Sequence, residues 1–155
     1  MQRVPMTPEG HTRLREELRN LKDVERPRIS KEIGVAIEQG DLSENAEYHA
    51  AKERQGFIEG RIKELEDKLS RAEVIDPATL SGSRVAFGAT VTVSENDKEL
   101  TYRIVGPDES DVEKSAISIT SPLARALVGK EPGDEVRVRT PGGERLLEVV
   151  DVAYR

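Results

Sequence analysis

Ile58-Glu59-Gly60-Arg61-Ile62-Lys63-Glu64-Leu65-Glu66-Asp67-Lys68-Leu69-Ser70-Arg71-Ala72 is the stretch that decides the fold. Its apolar residues Ile58, Ile62, Leu65, Leu69 and Ala72 recur at steps of 4, 3, 4 and 3. That spacing is the seam along which one helix lies against another. Upstream, Leu14, Leu18, Leu21, Ile29 and Ile33 mark a second apolar side at helical spacing. Two such runs need each other, because each exposes a stripe that water disfavours.

Working outward, Thr7 is an expected N-cap, with Pro8 at the first helical position, where its missing donor costs nothing. Pro27 falls inside the first run and is expected to kink the helix, since the pattern resumes at once. Gly40-Asp41 reads as a helix stop followed by a helix start. The simplest assembly is an antiparallel hairpin with arms of about 32 residues, each roughly 48 Å long.

Beyond Asp76-Pro77 and the connector Ser81-Gly82-Ser83 the period falls to 2. Val91 and Val93, then Leu100, Tyr102 and Ile104, then Ile117 and Ile119, then Val136 and Val138 alternate with polar neighbours. Pro141-Gly142-Gly143-Glu144 is the expected turn between the last two strands. A short helix interrupts them, with Ser121 as N-cap, Pro122 first, Leu123 to Val128 following and Gly129 as terminator. The chain is therefore expected to be α+β: a helical hairpin over residues 1–75, turning at 40–48, and an α+β domain over 76–155.

Composition bounds the function. The 155 residues are 35% hydrophobic and 35% charged, which predicts an elongated chain with much of its surface in water. The net charge is -6, with 14 basic against 16 acidic residues in 1–75 and 10 against 14 in 76–155. Neither half is a free nucleic-acid binder on charge, because counterion release needs a basic face. The absence of cysteine excludes disulfides and thiolate chemistry. No apolar run approaches a membrane span, and Met1 to Met6 lacks the apolar core of a signal peptide, so a soluble cytoplasmic protein is expected.

The common phosphate, hydrolase and zinc motifs are missing. His11 and His49 read as solvated surface residues. Lys52, Arg54, Arg61 and Lys63 read first as a solvated helix face and second as a place for phosphate.

The hairpin turn is different. In Gly40-Asp41-Leu42-Ser43-Glu44-Asn45-Ala46-Glu47-Tyr48, two carboxylates stand three residues apart. Asp41 and Glu44 can share a divalent cation, but Mg²⁺ wants six oxygens, so the pair is a partial site that needs a partner to complete it. The same pair is also a capping box, the role that spacing alone favours, and the two roles can coexist.

These residues, continued through His49-Ala50-Ala51-Lys52-Glu53, resemble the tip of bacterial transcript cleavage factors of the Gre family. The likeness extends over Pro5-Met6-Thr7 with Gly10, Gln55-Gly56-Phe57, Glu59-Gly60-Arg61-Ile62, Phe87-Gly88-Ala89-Thr90-Val91, Tyr102 to Gly106, Ser121 to Lys130, and Thr140 to Glu144. The resemblance implies an N-terminal antiparallel coiled coil and a C-terminal domain similar to FKBP-type prolyl isomerases. It implies a monomer whose coiled coil enters the secondary channel of backtracked RNA polymerase. There Asp41 and Glu44 help to hold a Mg²⁺ shared with the polymerase active site, and its attacking water.

On this reading the polymerase, not the factor, is the enzyme, and it cleaves the nascent RNA near its 3′ end. The resemblance further assigns Asn45, Tyr48, Lys52 and Arg54 to tip or RNA contact, and Ser121 and Pro122 to docking on polymerase. The chain departs from the family at Ile37, where an arginine of an RNA-guiding basic patch is common. Two other readings stand beside this one. One is a non-cleaving binder of the same channel. The other is a coiled-coil chaperone or prolyl isomerase, which a chain with no Trp, two Phe and three Tyr serves poorly.

Overall fold

A computed structural model describes residues 2–40 and 44–155. The chain forms two compact units, one of Thr12–Arg71 and one of the residues up to His11 together with Ala72–Arg155. The second unit reaches across a cut at residue 75, because the start of the chain belongs to it.

The hairpin unit is helical throughout its described residues. Helix α1 (Pro8–Asn20) passes through one π-helical segment, Leu21–Glu25, into α2 (Arg26–Glu38), and α3 (Ala46–Arg71) returns. Thr7 begins α1 as its spacing predicts: its hydroxyl accepts from the Gly10 amide at 3.2 Å, and its carbonyl accepts from His11 at 3.0 Å. The irregularity expected at Pro27 takes the form of the π segment just before it. A proline ring collides with the carbonyl four residues back. The wider π turn, in which the Arg26 amide donates to the Leu21 carbonyl, makes room for it, and the helix continues.

Ile29 and Ala36 are buried on α2, Ala51, Ile62 and Leu65 on α3, and Leu14 on α1. Ile58 and Leu69 are only half-buried. Ala72, expected as the last seam residue, instead opens a strand. Ion pairs fix the antiparallel sense, since partner numbers fall on one arm as they rise on the other. Arg26 grips Glu59 with two bonds of 2.8 and 2.9 Å, and Arg54 meets Glu32 at 2.6 Å.

The other unit holds two sheets. Strands β1 (Val4–Met6) and β2 (Ala72–Val74) pair in parallel, with Val4 opposite Ala72. A five-stranded sheet has the order β5-β4-β3-β7-β6. Its strands are β3 (Ala89–Glu95), β4 (Lys98–Val105), β5 (Ala116–Ser118), β6 (Glu135–Thr140) and β7 (Gly143–Tyr154). All neighbours are antiparallel except β4 and β5. Of the residues expected inward at period 2, Val91, Val93, Ile104, Val136 and Val138 are buried, and Tyr102, Ile117 and Ile119 pack half-buried against them. Leu100 departs from the pattern at 38% exposed, near the outer end of β4, and Leu147 of β7 completes the core. Helix α4 (Pro122–Leu127) packs Ala124 and Leu127 onto them, so the α+β class expected from the sequence is the one observed.

One buried polar cluster lies within this unit, joining Glu109 to the chain's start at Thr7. Glu109 is 6% exposed, and both of its oxygens accept from the Thr7 amide, at 3.1 and 3.0 Å. It also accepts from the Thr7 hydroxyl, and from the Gly106 amide at 2.8 Å. The fit excludes larger residues, because a Cβ on Gly10 would collide with the Glu109 Oε1. Among the described residues, no helix is long and apolar enough to cross a membrane.

Candidate functional site at the hairpin turn

The turn between α2 and α3 is built by two residues on either side of the acidic segment. Gly40 closes α2 with φ of +116°, a conformation that a side chain resists. Asn45 opens α3: its Oδ1 accepts from the Tyr48 amide at 3.1 Å, and its carbonyl accepts from His49 at 3.1 Å. The other end of the same amide reaches across the hairpin, where Nδ2 donates to the Ala36 carbonyl at 2.7 Å. One side chain thus caps one helix and binds the other.

This placement corrects the capping-box expectation. The helix starts at Ala46, five residues after Asp41, so Glu44 lies before the cap instead of three residues inside it. A capping box needs its acid at the third helical position, which Tyr48 occupies here. Glu44 is exposed and is not a cap. Asp41 lies outside the described residues.

The other candidates divide by what already holds them. Tyr48 is half-buried, its ring edge-on to His49 with centroids 5.5 Å apart. Lys52 is exposed, with its ammonium 3.0 Å from the Gln55 side-chain oxygen. Arg54 is engaged with Glu32, and Arg61, a member of the same basic run, is gripped by Glu17 at 2.6 and 2.9 Å. Hydrogen bonding from Arg61 holds the Glu17 carboxyl below its ordinary range, and the same bond holds the Arg61 guanidinium above its own. Ile37 is 49% exposed at the end of α2.

Sequence reading along one arm missed the cations of the other. Arg28 and Lys31 on α2 face Arg54 across a groove whose floor includes Val35, Ala36 and Ala51. Pairing the arms antiparallel about Gly40 would have brought these residues opposite each other. Far along the chain, Ser121 caps α4, its hydroxyl accepting from Ala124 at 3.2 Å, with Pro122 exposed beside it. Leu127 is core.

A metal would find carboxylate oxygens of the right kind at this turn, since Mg²⁺ prefers oxygen donors and keeps waters and outside ligands. Among the described residues no group of three or more His, Asp or Glu side chains is gathered to hold an ion. An exposed carboxylate released from capping fits a shared ion, with the rest of the shell supplied from elsewhere.

The described residues thus form an antiparallel helical hairpin, with Glu44 exposed at its turn, and an α+β unit. Residues 4–74 match the N-terminal domain of the GreA/GreB transcription elongation factors, and residues 80–154 match their C-terminal domain. The chain belongs to this family. It is 60% identical over the full length of both chains to a transcription elongation factor GreA of Hyphomonas neptunium. It is also 60% identical to a transcription elongation factor GreA of a Jannaschia species, over 99% of each chain. Among solved structures, the GreA factor homolog 1 (Gfh1) of Thermus thermophilus is 30% identical, covering 97% of this chain and 99% of its own, with a TM-score of 0.46.

Proposed function

We propose that this chain rescues backtracked RNA polymerase by inserting its hairpin into the secondary channel and stimulating cleavage of the nascent RNA near its 3′ end. The observation that carries this reading is the exposed Glu44, left outside the cap of α3 and three residues from Asp41. A carboxylate that is not spent on capping its own helix is available for chemistry elsewhere.

Asp41 and Glu44 would hold a Mg²⁺ in common with the polymerase active centre. Mg²⁺ bound there supplies neutralisation of the charge that builds during phosphodiester hydrolysis. The remaining residues deliver the acids. The arm α3, 26 residues long, is about 39 Å at 1.5 Å per residue, and its buried Ala51, Ile62 and Leu65 keep it from splaying, with ion pairs to α1 and α2 adding a smaller share. Lys52 and Tyr48 lie beyond the cap, where the RNA 3′ end would pass, and Arg54 would reach RNA by exchanging Glu32 for a phosphate. Ser121 and Pro122 begin a helix whose far side is core, leaving Pro122 outward for docking on polymerase. The chain acts as a monomer in the cytoplasm, and the catalyst is the polymerase.

The test is a stalled, backtracked elongation complex with Mg²⁺, read as shortening of labelled RNA. Asp41→Asn and Glu44→Gln keep side-chain size and leave the Asn45 cap alone, so the thermal midpoint should hold while stimulated cleavage collapses. Parental cleavage by both variants would sink the reading.

A further inference from the structure

We propose that Asn45 is the positioning residue for the tip acids: its amide bonds α2 and α3 at once and so fixes the backbone next to Glu44. The proposal rests on the reading of those acids given above. The geometry is specific to an amide. The oxygen must face the Tyr48 amide, a donor, at 3.1 Å, and the nitrogen must face the Ala36 carbonyl, an acceptor, at 2.7 Å. A carboxylate of the same shape satisfies the first and repels the second. A hydroxyl satisfies the first and is too short for the second.

The bond to Ala36 falls where the chain most needs it. The Ala36 carbonyl belongs to the last turn of α2, where carbonyls run out of helical partners; it also accepts from the Gln39 amide at 3.2 Å. Ala36 itself is 3% exposed, so it is a fixed point in the seam. Asn45 is adjacent to Glu44, and both acids lie in sequence between Ala36 and Asn45. Fixing Asn45 to both arms narrows the conformations open to its neighbour Glu44 before that carboxylate meets an ion, and so reduces the ordering left to binding. A side chain with both ends of its amide engaged inside the hairpin then governs how well its acidic neighbour binds.

Full-length Asn45→Ser and Asn45→Asp are compared with the parent and with Glu44→Gln on a backtracked elongation complex, titrating Mg²⁺ and factor separately. Both substitutions keep the cap, since Ser and Asp cap helices about as well as Asn. Both lose the bond to Ala36. Cleavage at saturating factor should fall about tenfold to a hundredfold, as misplacement of about an ångström does. More Mg²⁺ should be needed for half-maximal cleavage, while the factor concentration for half-maximal effect stays parental. A role confined to helix capping predicts parental cleavage for both, so parental rate and Mg²⁺ demand in either variant overturns the proposal. If Glu44→Gln also cleaves like the parent, the reading of the tip acids fails and the proposal with it. If Glu44→Gln is inert while the Asn45 variants are parental, the proposal alone fails.

Discussion

Glu109→Gln removes one oxygen from a site that has no room for a donor. In the parent, Oε1 accepts from the Thr7 hydroxyl and amide, and Oε2 accepts from Thr7 and from Gly106 at 2.8 Å. Glutamine keeps one acceptor, which Thr7 claims. Its NH₂ then faces the Gly106 amide, donor against donor, in a site only 6% exposed. A hydrogen bond to a charged group contributes about 1.5–3 kcal/mol, and a stranded buried donor costs about 1–3 kcal/mol. Partial relaxation leaves a net loss of about 2–4 kcal/mol.

Because the chain has two units, a single unfolding curve can hide a local loss. Hydrogen exchange of the Gly106 amide reads it directly, and about 2 kcal/mol is roughly a 30-fold drop in protection. Gly10→Ala is the companion variant. Its Cβ would collide with the Glu109 Oε1, so it should be severe in the parent and much milder once Glu109→Ala has emptied the space. Parental protection at Gly106 in Glu109→Gln, or a Gly10→Ala cost unaltered by Glu109→Ala, would refute this account of the cluster.

Leu65 is 0% exposed in the seam, and Leu65→Ala should destabilise the hairpin by about 2–5 kcal/mol in chemical denaturation. Gly60 stands inside α3 with open space for 4 Å around the place a methyl group would take, so Gly60→Ala should raise stability by about 0.5–1 kcal/mol in the same measurement. Glu17 has its carboxyl held low by Arg61, so it adds stability above its ordinary value near 4.5 that is lost as pH falls through the lower folded value. The gap between parent and Glu17→Gln, about 0.2–1 kcal/mol for so exposed a pair, should be full at pH 7 and close on acidification below about pH 4.5. A gap that widens in acid would contradict the pairing.

The sequence disclosed what repeats. The seam at Ile62 and Leu65, the alternation at Val91 and Val93, and the caps at Thr7 and Ser121 each recur at a period or pair with a proline, and the structure holds all of them. Single events stayed hidden. A three-residue strand such as Val4–Met6 has no period to detect, and its partner lies 68 positions away at Ala72. Glu109 sits among Asp108, Ser110 and Asp111, indistinguishable by type from a solvated turn. At the tip, Asp41, Ser43 and Asn45 are all able caps within five residues. Local preference cannot choose among them. What singles out Asn45 is a second partner across the hairpin, the Ala36 carbonyl, which local preference does not encode.

The parallel pairing of β1 with β2 makes the hairpin an insertion, with the chain leaving one small sheet at Met6 and returning to it at Ala72. An unstructured loop of that length would cost about 3.7 kcal/mol in closure entropy, from (3/2)RT ln n, before two three-residue strands could meet. Antiparallel helices remove most of that cost by bringing their two ends together on their own. The hairpin is thereby a folding template for the strands at its base, and the order of assembly runs from local helix contacts to distant strand contacts.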